Sequence, residues 1–168
     1  LEGKKGVLWW DIRDTLEAKS APFVLLENVD RLLKSPASQR GRDFGVILAC
    51  FRDLGYTVEW RVINAADYGY QQRRRRTFIF AYRNDTHYAG TMPANMEDVL
   101  LKEGFFAKSF PVMETETKLK TAALPAEVGE VSRDFHFLFE NSGIMTAGVI
   151  YTEKTTPKYT GRQITLGD

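Results

Sequence analysis

The chain has 168 residues, of which 43% are hydrophobic and 27% are charged, and its formal net charge is +1 at pH 7. This size and composition are typical of a folded globular domain and exclude a disordered or fibrous segment. The net charge is close to zero, so the whole-molecule charge gives no argument for nucleic-acid binding, and any such argument depends on local clusters.

The sequence also gives no support for a membrane protein, a secreted protein or a metal-binding protein. The sequence holds no run of about 18 consecutive apolar residues, and its first residues do not follow the pattern of a secretion signal. Cys50 is the single cysteine and cannot form an internal disulfide, and no cysteine and histidine cluster has the spacing of metal ligands. The sequence therefore predicts a cytoplasmic protein without a membrane partner or a bound metal, and it leaves the oligomeric state open.

The first predicted elements are a helix and a strand. Apolar and charged residues mix between positions 6 and 19 in a pattern typical of an amphipathic helix. After Pro22, the unbroken apolar run Phe23–Leu26 is typical of a strand that is covered on both faces in a parallel sheet. The apolar positions of the predicted helix are Val7, Leu8, Trp10, Ile12 and Leu16.

The next elements complete an α/β unit. The apolar spacing between Ser38 and Leu54 predicts a helix that ends at Gly55, and two strands are predicted at Tyr56–Ile63 and Thr77–Tyr82. A strand, a helix and a further strand in succession are typical of the α/β class.

Beyond Arg83 the sequence changes character. A short helix is predicted at Met96–Glu103, followed from Phe110 by short strands, such as Gly148–Tyr151, and long loops. We therefore expect a boundary near residue 90, which divides the chain into residues 1–90 and 91–168.

Glu27 and Asn28 directly follow the apolar strand. Polar groups at the carboxyl end of a strand lie where open α/β sheets bind ligands. The ordinary alternative is a solvated carboxylate followed by a turn-forming asparagine.

A run of four arginines, residues 73–76, leads directly into the strand predicted at Thr77. Such a run is usually solvated or faces phosphate groups. If the strand begins within the run, side chains alternate between faces, so that Arg74 and Arg76 share one face and Arg73 and Arg75 share the other.

Taken in order, five segments resemble the motifs of bacterial DNA cytosine-5 methyltransferases. The resemblance covers residues 1–84 and resumes near residue 139. The segments are Gly6–Ile12, Phe23–Val29 ending in Glu-Asn-Val, Asn64–Gly69, the alternating Gln72, Arg74 and Arg76, and Phe139–Met145. In this family a cysteine attacks carbon 6 of a cytosine that is flipped out of double-stranded DNA, and carbon 5 then takes a methyl group from S-adenosylmethionine.

The resemblance implies a fold and a biological setting. Residues 1–90 would be the C-terminal part of a catalytic domain with a Rossmann-like, S-adenosylmethionine-dependent methyltransferase sheet. Residues 91–168 would be a linker and the beginning of an irregular target recognition region. The intact parent would methylate a specific DNA sequence within a restriction–modification system.

The resemblance also assigns roles to individual residues. Glu27 matches the glutamate that contacts ring nitrogen 3 and the exocyclic amine, where a proton or a hydrogen-bond donor stabilises the attacked ring. Arg76 matches the arginine that contacts the ring oxygen at position 2, and Arg74 matches the arginine that supports the glutamate loop. These three are the predicted catalytic residues. The predicted substrate- and DNA-binding residues are Asn28, Gln72, Arg73 and Arg75.

Leu8 matches a residue that packs near the cofactor, although amphipathic patterning alone explains it as helix core.

Two features depart from the family. Gln71 stands where proline is common, and Arg75 adds a positive charge at a variable position. The family's Pro-Cys motif and glycine-rich cofactor loop do not occur in these residues, since Cys50 follows Ala49 and is predicted to be a buried core residue.

Three hypotheses remain open at this point. The chain is part of a methyltransferase, a nucleic-acid-binding module built around the arginine run, or a non-catalytic remnant. In the first case we expect the 168 residues alone to be inactive and to bind S-adenosylmethionine poorly, because the nucleophile and the main cofactor loop are absent from them.

Overall fold

The structure is a computed structural model that describes residues 4–114 and 117–162. It is a mixed α/β fold with one six-stranded sheet. The strands are β1 (Phe23–Val29), β2 (Tyr56–Asn64), β3 (Arg75–Arg83), β4 (Lys120–Ala123), β5 (Ser142–Thr146) and β6 (Val149–Glu153). The helices are α1 (Lys4–Lys19), α2 (Arg42–Asp53), α3 (His87–Thr91), α4 (Met96–Asp98), α5 (Phe105–Ser109) and α6 (Val128–Asp134). Short 3-10 segments span Asp30–Lys34, Ala37–Gln39 and Ala65–Tyr68, and a π-helical turn spans Val99–Glu103.

The strand order in the sheet is β1-β3-β2-β5-β6-β4, and every neighbouring pair is antiparallel. β1 and β2 are both antiparallel to β3, so they run parallel to each other, with α2 between them in sequence. The order of β1, α2 and β2 along the chain confirms the predicted succession of strand, helix and strand. The prediction that β1 lies in a parallel sheet and is covered on both faces is wrong, because β3 inserts between the parallel strands and Leu25 of β1 is 59% exposed.

The two faces of the sheet differ in composition. The face covered by α1 and α2, here called the α2 face, is mainly apolar along β1, β3 and β2. The opposite face, here called the Glu59 face, is covered in part by the segment 99–111 and carries charged residues. Residues of the α2 face include Val24, Leu26, Val58, Trp60, Ile79 and Ala81, and residues of the Glu59 face include Leu25, Glu27, Glu59, Arg61, Arg76 and Phe80.

Helix α2 forms the centre of the core on the α2 face. Residues 43–51 are all buried, because the sheet, α1 and α6 surround the helix. Phe44 meets the rings of Trp60 and Phe139 edge-on, with ring centroids 5.0 Å apart in each pair. Cys50 lies in the same core, as predicted, and burial raises the pKa of its thiol.

Helix α1 packs against α2 through residues that differ in part from those the sequence predicts. Trp9 and Leu16 are buried, Ile12 is partly buried, and Leu8 is 60% exposed. The interpretation of Leu8 as ordinary helix core is therefore wrong. The apolar stripe follows positions 9, 12 and 16, whose spacing of three and four residues places them on one side of the helix.

The predicted boundary near residue 90 stays a prediction, and the sheet is continuous across it. β5 pairs with β2, so that residues 142–145 extend the sheet of the first part. The last six residues of the range 91–168 lie outside the described part of the chain. Among the described residues, no helix combines the length and the hydrophobicity needed to cross a bilayer.

Candidate active site

The predicted catalytic residues Glu27 and Arg76 lie side by side at one end of the sheet. Nε of Arg76 is 3.2 Å from Oε1 of Glu27. The side chain of Glu27 is 52% exposed and that of Arg76 is 27% exposed. The pair therefore stands at the surface with one carboxylate and one guanidinium adjacent, and an incoming group can reach both.

The strand register brings this pair together. In the antiparallel pairing of β1 with β3, Glu27 lies opposite Phe78, and Arg76 is two positions further along the same face. Thr77 is buried, and its hydroxyl donates to the carbonyl of Val29 at 3.2 Å, which ties the ends of the two strands together. Glu27 and Arg76 are far apart in sequence, yet regular strand geometry places them within ion-pair distance.

The carboxylate of Glu27 lies on an edge strand of the sheet. Among the described residues β1 pairs only with β3, so its outer edge has no strand partner.

Asn28 forms a local turn contact. Its Oδ1 accepts a hydrogen bond from the backbone N–H of Val29 at 2.7 Å. Its side chain belongs to the α2 face, opposite to the face of Glu27. The geometry agrees with a scaffold for the end of β1.

The arginine run divides into two parts. Strand β3 begins at Arg75, so the alternation of side chains between faces applies only to Arg75 and Arg76. The prediction that Arg74 shares a strand face with Arg76 is wrong, because Arg74 lies before the strand. Nε of Arg75 lies 3.6 Å from Oδ2 of Asp30. Arg73 and Arg74 are exposed, as is Gln72, and within residues 4–114 and 117–162 none of these three makes a hydrogen bond or an ion pair.

A cavity of about 540 Å³ adjoins the carboxyl end of β1 on the α2 face. Three predicted site residues line it, namely Leu8, Glu27 and Asn28. Its walls are mainly apolar, with Ile12 and Leu26 among them. Ligand sites commonly have this size and this combination of apolar walls with a few polar groups. The cavity thus has room for a cofactor-sized molecule beside Leu8.

Sequence reasoning missed a buried polar network beneath the site. Burial raises the pKa of Glu59 to about 7, and burial also lowers the pKa of Arg61. The guanidinium of Arg61 donates to the carbonyls of Phe110 at 2.9 Å and Leu100 at 3.3 Å. The signal in the sequence was the pair of charged residues inside the apolar strand Tyr56–Ile63, and the network fixes the segment 99–111 on the Glu59 face.

Metal ligation has no candidate site in the portion of the chain that the structure describes. No group of three or more histidine, cysteine, aspartate or glutamate side chains there is arranged to hold an ion.

Comparison with known proteins relates this geometry to one family. Residues 1–163 match the family model described as C-5 cytosine-specific DNA methylase. The chain is 47% identical over 171 aligned residues to the type II methyltransferase M.Sau3AI of Staphylococcus aureus, covering all of this chain and 41% of that protein. It is 39% identical over 82 residues to M.NlaIV of Neisseria lactamica, covering 46% of this chain and 19% of that protein.

A third relative, M.NgoBI of Neisseria gonorrhoeae, is 30% identical over 127 residues, which cover 73% of this chain and 39% of that protein. The chain thus spans less than half the length of these relatives. The match over nearly the whole chain nevertheless includes every motif around the Glu27 and Arg76 pair. This chain belongs to the family of C-5 cytosine-specific DNA methylases.

Proposed function

We propose that the chain is the base-binding part of a DNA (cytosine-5-)-methyltransferase of a restriction–modification system, and that it holds a cytosine flipped out of double-stranded DNA. The observation that carries the proposal is the Glu27 and Arg76 pair, 3.2 Å apart at the exposed end of β1 and β3.

The pair is complementary to one edge of cytosine. That edge presents the exocyclic amine, ring nitrogen 3 and the oxygen at position 2 in a row, and flipped bases are read along it. The carboxyl group of Glu27 can bind nitrogen 3 and the amine, and the guanidinium of Arg76 can bind the oxygen. One residue from each of the two strands therefore forms hydrogen bonds to all three groups. The guanidinium stays charged and offers several donors in a fixed plane.

The same contacts supply chemistry. Attack of a thiolate on carbon 6 moves charge into the ring, and a proton delivered to nitrogen 3 by Glu27 neutralises it, while Arg76 stabilises the charge on the oxygen. Carbon 5 then takes the methyl group and loses its proton as the thiolate leaves carbon 6. The thiolate comes from residues outside these 168, because Cys50 is buried in the core of the α2 face.

S-adenosylmethionine supplies the methyl group. Its place in this chain is the cavity beside Leu8, which offers apolar walls next to the carboxyl end of β1. We propose that these residues form one side of the cofactor site. Because the family's glycine-rich loop is absent from the sequence, we expect the chain alone to bind the cofactor weakly.

One further proposal concerns the organisation of the chain. Residues 1–90 form the C-terminal part of the Rossmann-like catalytic sheet, and residues 91–168 are the linker and the start of the target recognition region.

Another proposal concerns the roles of the remaining site residues. Arg74 supports the glutamate loop from its exposed position before β3. The residues that contribute to DNA binding are Asn28, Gln72, Arg73 and Arg75.

A hybrid enzyme tests the proposed function. In it, residues 1–168 replace the segment of the Staphylococcus aureus methyltransferase that they match. We expect transfer of labelled methyl groups from S-adenosylmethionine to duplex DNA by the hybrid enzyme and none by the 168-residue chain. An inactive hybrid enzyme with a native-like unfolding transition would contradict the proposal, as would methyl transfer by the chain alone.

The exposed Arg73 and Arg74, which have no partner within the described ranges, favour a second candidate, a nucleic-acid-binding module. That function predicts that the chain alone binds duplexes with a matched and an abasic target equally well, with a strong dependence on salt. A preference for the duplex that contains the target cytosine would exclude it.

A further inference from the structure

The segment 156–162 lies close to the loop that precedes the arginine run. Two backbone hydrogen bonds hold it against residues 111–113. The N–H of Met113 donates to the carbonyl of Thr156, and the N–H of Lys158 donates to the carbonyl of Pro111, both at 2.9 Å. These bonds fix the position from which the next side chain, Tyr159, projects.

The ring of Tyr159 packs directly on Gly69. A Cβ atom at Gly69 would stand 2.5 Å from the Tyr159 hydroxyl oxygen, so the contact exists only because residue 69 has no side chain. Gly69 also has a φ of +90°, a conformation that glycine adopts without strain. The ring of Tyr68 lies beside that of Tyr159, with centroids 6.4 Å apart.

The hydroxyl of Tyr159 closes a local turn. It donates to the carbonyl of Arg162 at 2.7 Å, and Gly161 approaches the same end of the ring. The hydroxyl bond to Arg162 and the backbone bonds to residues 111–113 therefore hold the ring against Gly69.

Gly69 begins the loop that ends in the arginine run. The N–H of Gly69 donates to the carbonyl of Ala66 at 3.4 Å, and that of Tyr70 donates to the carbonyl of Ala65 at 3.2 Å. No helix or strand follows until β3 begins at Arg75. The contact of Gly69 with Tyr159 is thus a fixed point from which the path of residues 70–74 starts.

We propose that Tyr159 is a positioning residue that acts through Gly69 on Arg73 and Arg74, the two arginines that precede β3, and so links the segment 156–162 to capture of the flipped cytosine. The inference rests on the proposed function for Arg74. It adds a residue from the second half of the chain to a site otherwise built from the first half. Removing the ring frees the loop, and Arg73 and Arg74 then sample orientations that do not support the glutamate loop or meet the DNA backbone.

Hydrogen exchange of the 168-residue chain tests the structural step. In Tyr159→Ala we expect the amides of Gly69 and Tyr70 to exchange about tenfold faster, while β2 and β3 amides stay unchanged. Tyr159→Phe keeps the ring, and the backbone bonds of Met113 and Lys158 still hold its segment, so its exchange should stay close to that of the original chain. Unchanged exchange at Gly69 and Tyr70 in Tyr159→Ala would overturn the proposal, as would faster exchange throughout the sheet.

A double-mutant cycle in the hybrid enzyme tests the functional step. We expect Tyr159→Ala to lower kcat about 10- to 100-fold with little change in KM, and Tyr159→Phe to restore it. If Tyr159 acts through Arg74, adding Tyr159→Ala to Arg74→Ala costs far less than it does alone. Fully additive effects would refute the link. If Arg74→Ala itself left kcat unchanged, the proposed function of Arg74 would fail, while the exchange result would still decide the contact of Tyr159 with Gly69.

Discussion

The two faces of the sheet bury different kinds of side chain. The α2 face buries apolar and aromatic side chains around Phe44 and Trp60, and shape and hydrophobicity stabilise it. The Glu59 face buries a carboxyl group and a guanidinium in its middle and places the Glu27 and Arg76 pair at its open end. The comparison indicates that the α2 face supplies stability, while the Glu59 face holds polar groups in defined positions at some cost in stability.

The largest expected effect is on the α2 face. Phe44→Ala removes a fully buried ring that contacts Trp60 and Phe139, and we expect it to lower the free energy of unfolding by about 3–5 kcal/mol. Chemical denaturation of the 168-residue chain measures this. Leu138→Ala is the control, since Leu138 is exposed and its loss should change stability by less than about 0.5 kcal/mol. Equal losses for the two variants would show that Phe44 is not central to the core.

The next effect is on catalysis at the open end of the Glu59 face. Glu27→Gln in the hybrid enzyme should lower kcat by about 10²–10³, because the amide cannot deliver a proton to the attacked ring. Binding to duplex DNA should stay nearly constant. Asp30→Asn is a matched control, because Asp30 pairs with Arg75 instead of Arg76. Unchanged turnover in Glu27→Gln would remove Glu27 from the mechanism.

Glu59 should make stability depend on pH. Burial raises its pKa to about 7 in the folded chain, from 4.5 for an ordinary glutamate, so between these values the folded state binds a proton that the unfolded state has lost. The stabilisation from Glu59 is therefore complete below about pH 4.5 and is lost as the pH rises through about 7, amounting to roughly 3 kcal/mol.

Glu59→Gln removes this titration and keeps an oxygen that can accept from the N–H of Phe105. Unfolding at pH 5 and pH 7.5 should show a smaller loss of stability in the variant than in the original chain. Burial and the neighbouring Glu97 also raise the pKa of Glu153 to about 7, but Glu153 is present in both proteins and cancels in the difference. Parallel pH profiles would show that Glu59 titrates normally.

The smallest expected effect concerns the arginine run. Arg73→Ala should reduce the slope of log binding constant against log salt concentration by about 0.9, the value for one phosphate contact. Arg76→Ala should weaken binding to the matched duplex with little change in slope, because its guanidinium faces Glu27. Arg83→Ala, at the far end of β3, is the control. Equal slope changes for Arg73→Ala and Arg76→Ala would contradict the division of the run.

The difference between the faces also explains what could be predicted from sequence. The unbroken apolar run Phe23–Leu26 and the helical spacing of Phe44, Ile47 and Phe51 carried enough information to place β1 and α2. The alternation of Glu59 and Arg61 with apolar residues is typical of a strand with one solvated face, yet both faces of β2 are buried. The segment 99–111 covers the polar side, and local periodicity does not contain that contact.

The candidate site shows the same limit. The resemblance to the methyltransferase motifs implied that Glu27 and Arg76 would act on the same base, and strand register places them in contact. It did not predict that Arg74 lies before β3 or that Leu8 is exposed beside a cavity, because the first residue of a strand and the rotation of a helix depend on tertiary packing. No sequence motif pointed to Tyr159, because its contact with Gly69 joins residues that are 90 positions apart in the chain.

The antiparallel insertion of β3 between β1 and β2 has a consequence for changes in chain length. Both neighbours fix the register of β3, from Arg76 opposite Val29 and Ile63 to Tyr82 opposite Phe23 and Thr57. Deleting one residue within β3 would rotate every side chain on one side of the deletion to the other face of the sheet. Arg76 would then point toward the α2 face, away from Glu27. The proposed capture of the base is therefore incompatible with length variation within β3, in natural and in engineered versions of this chain.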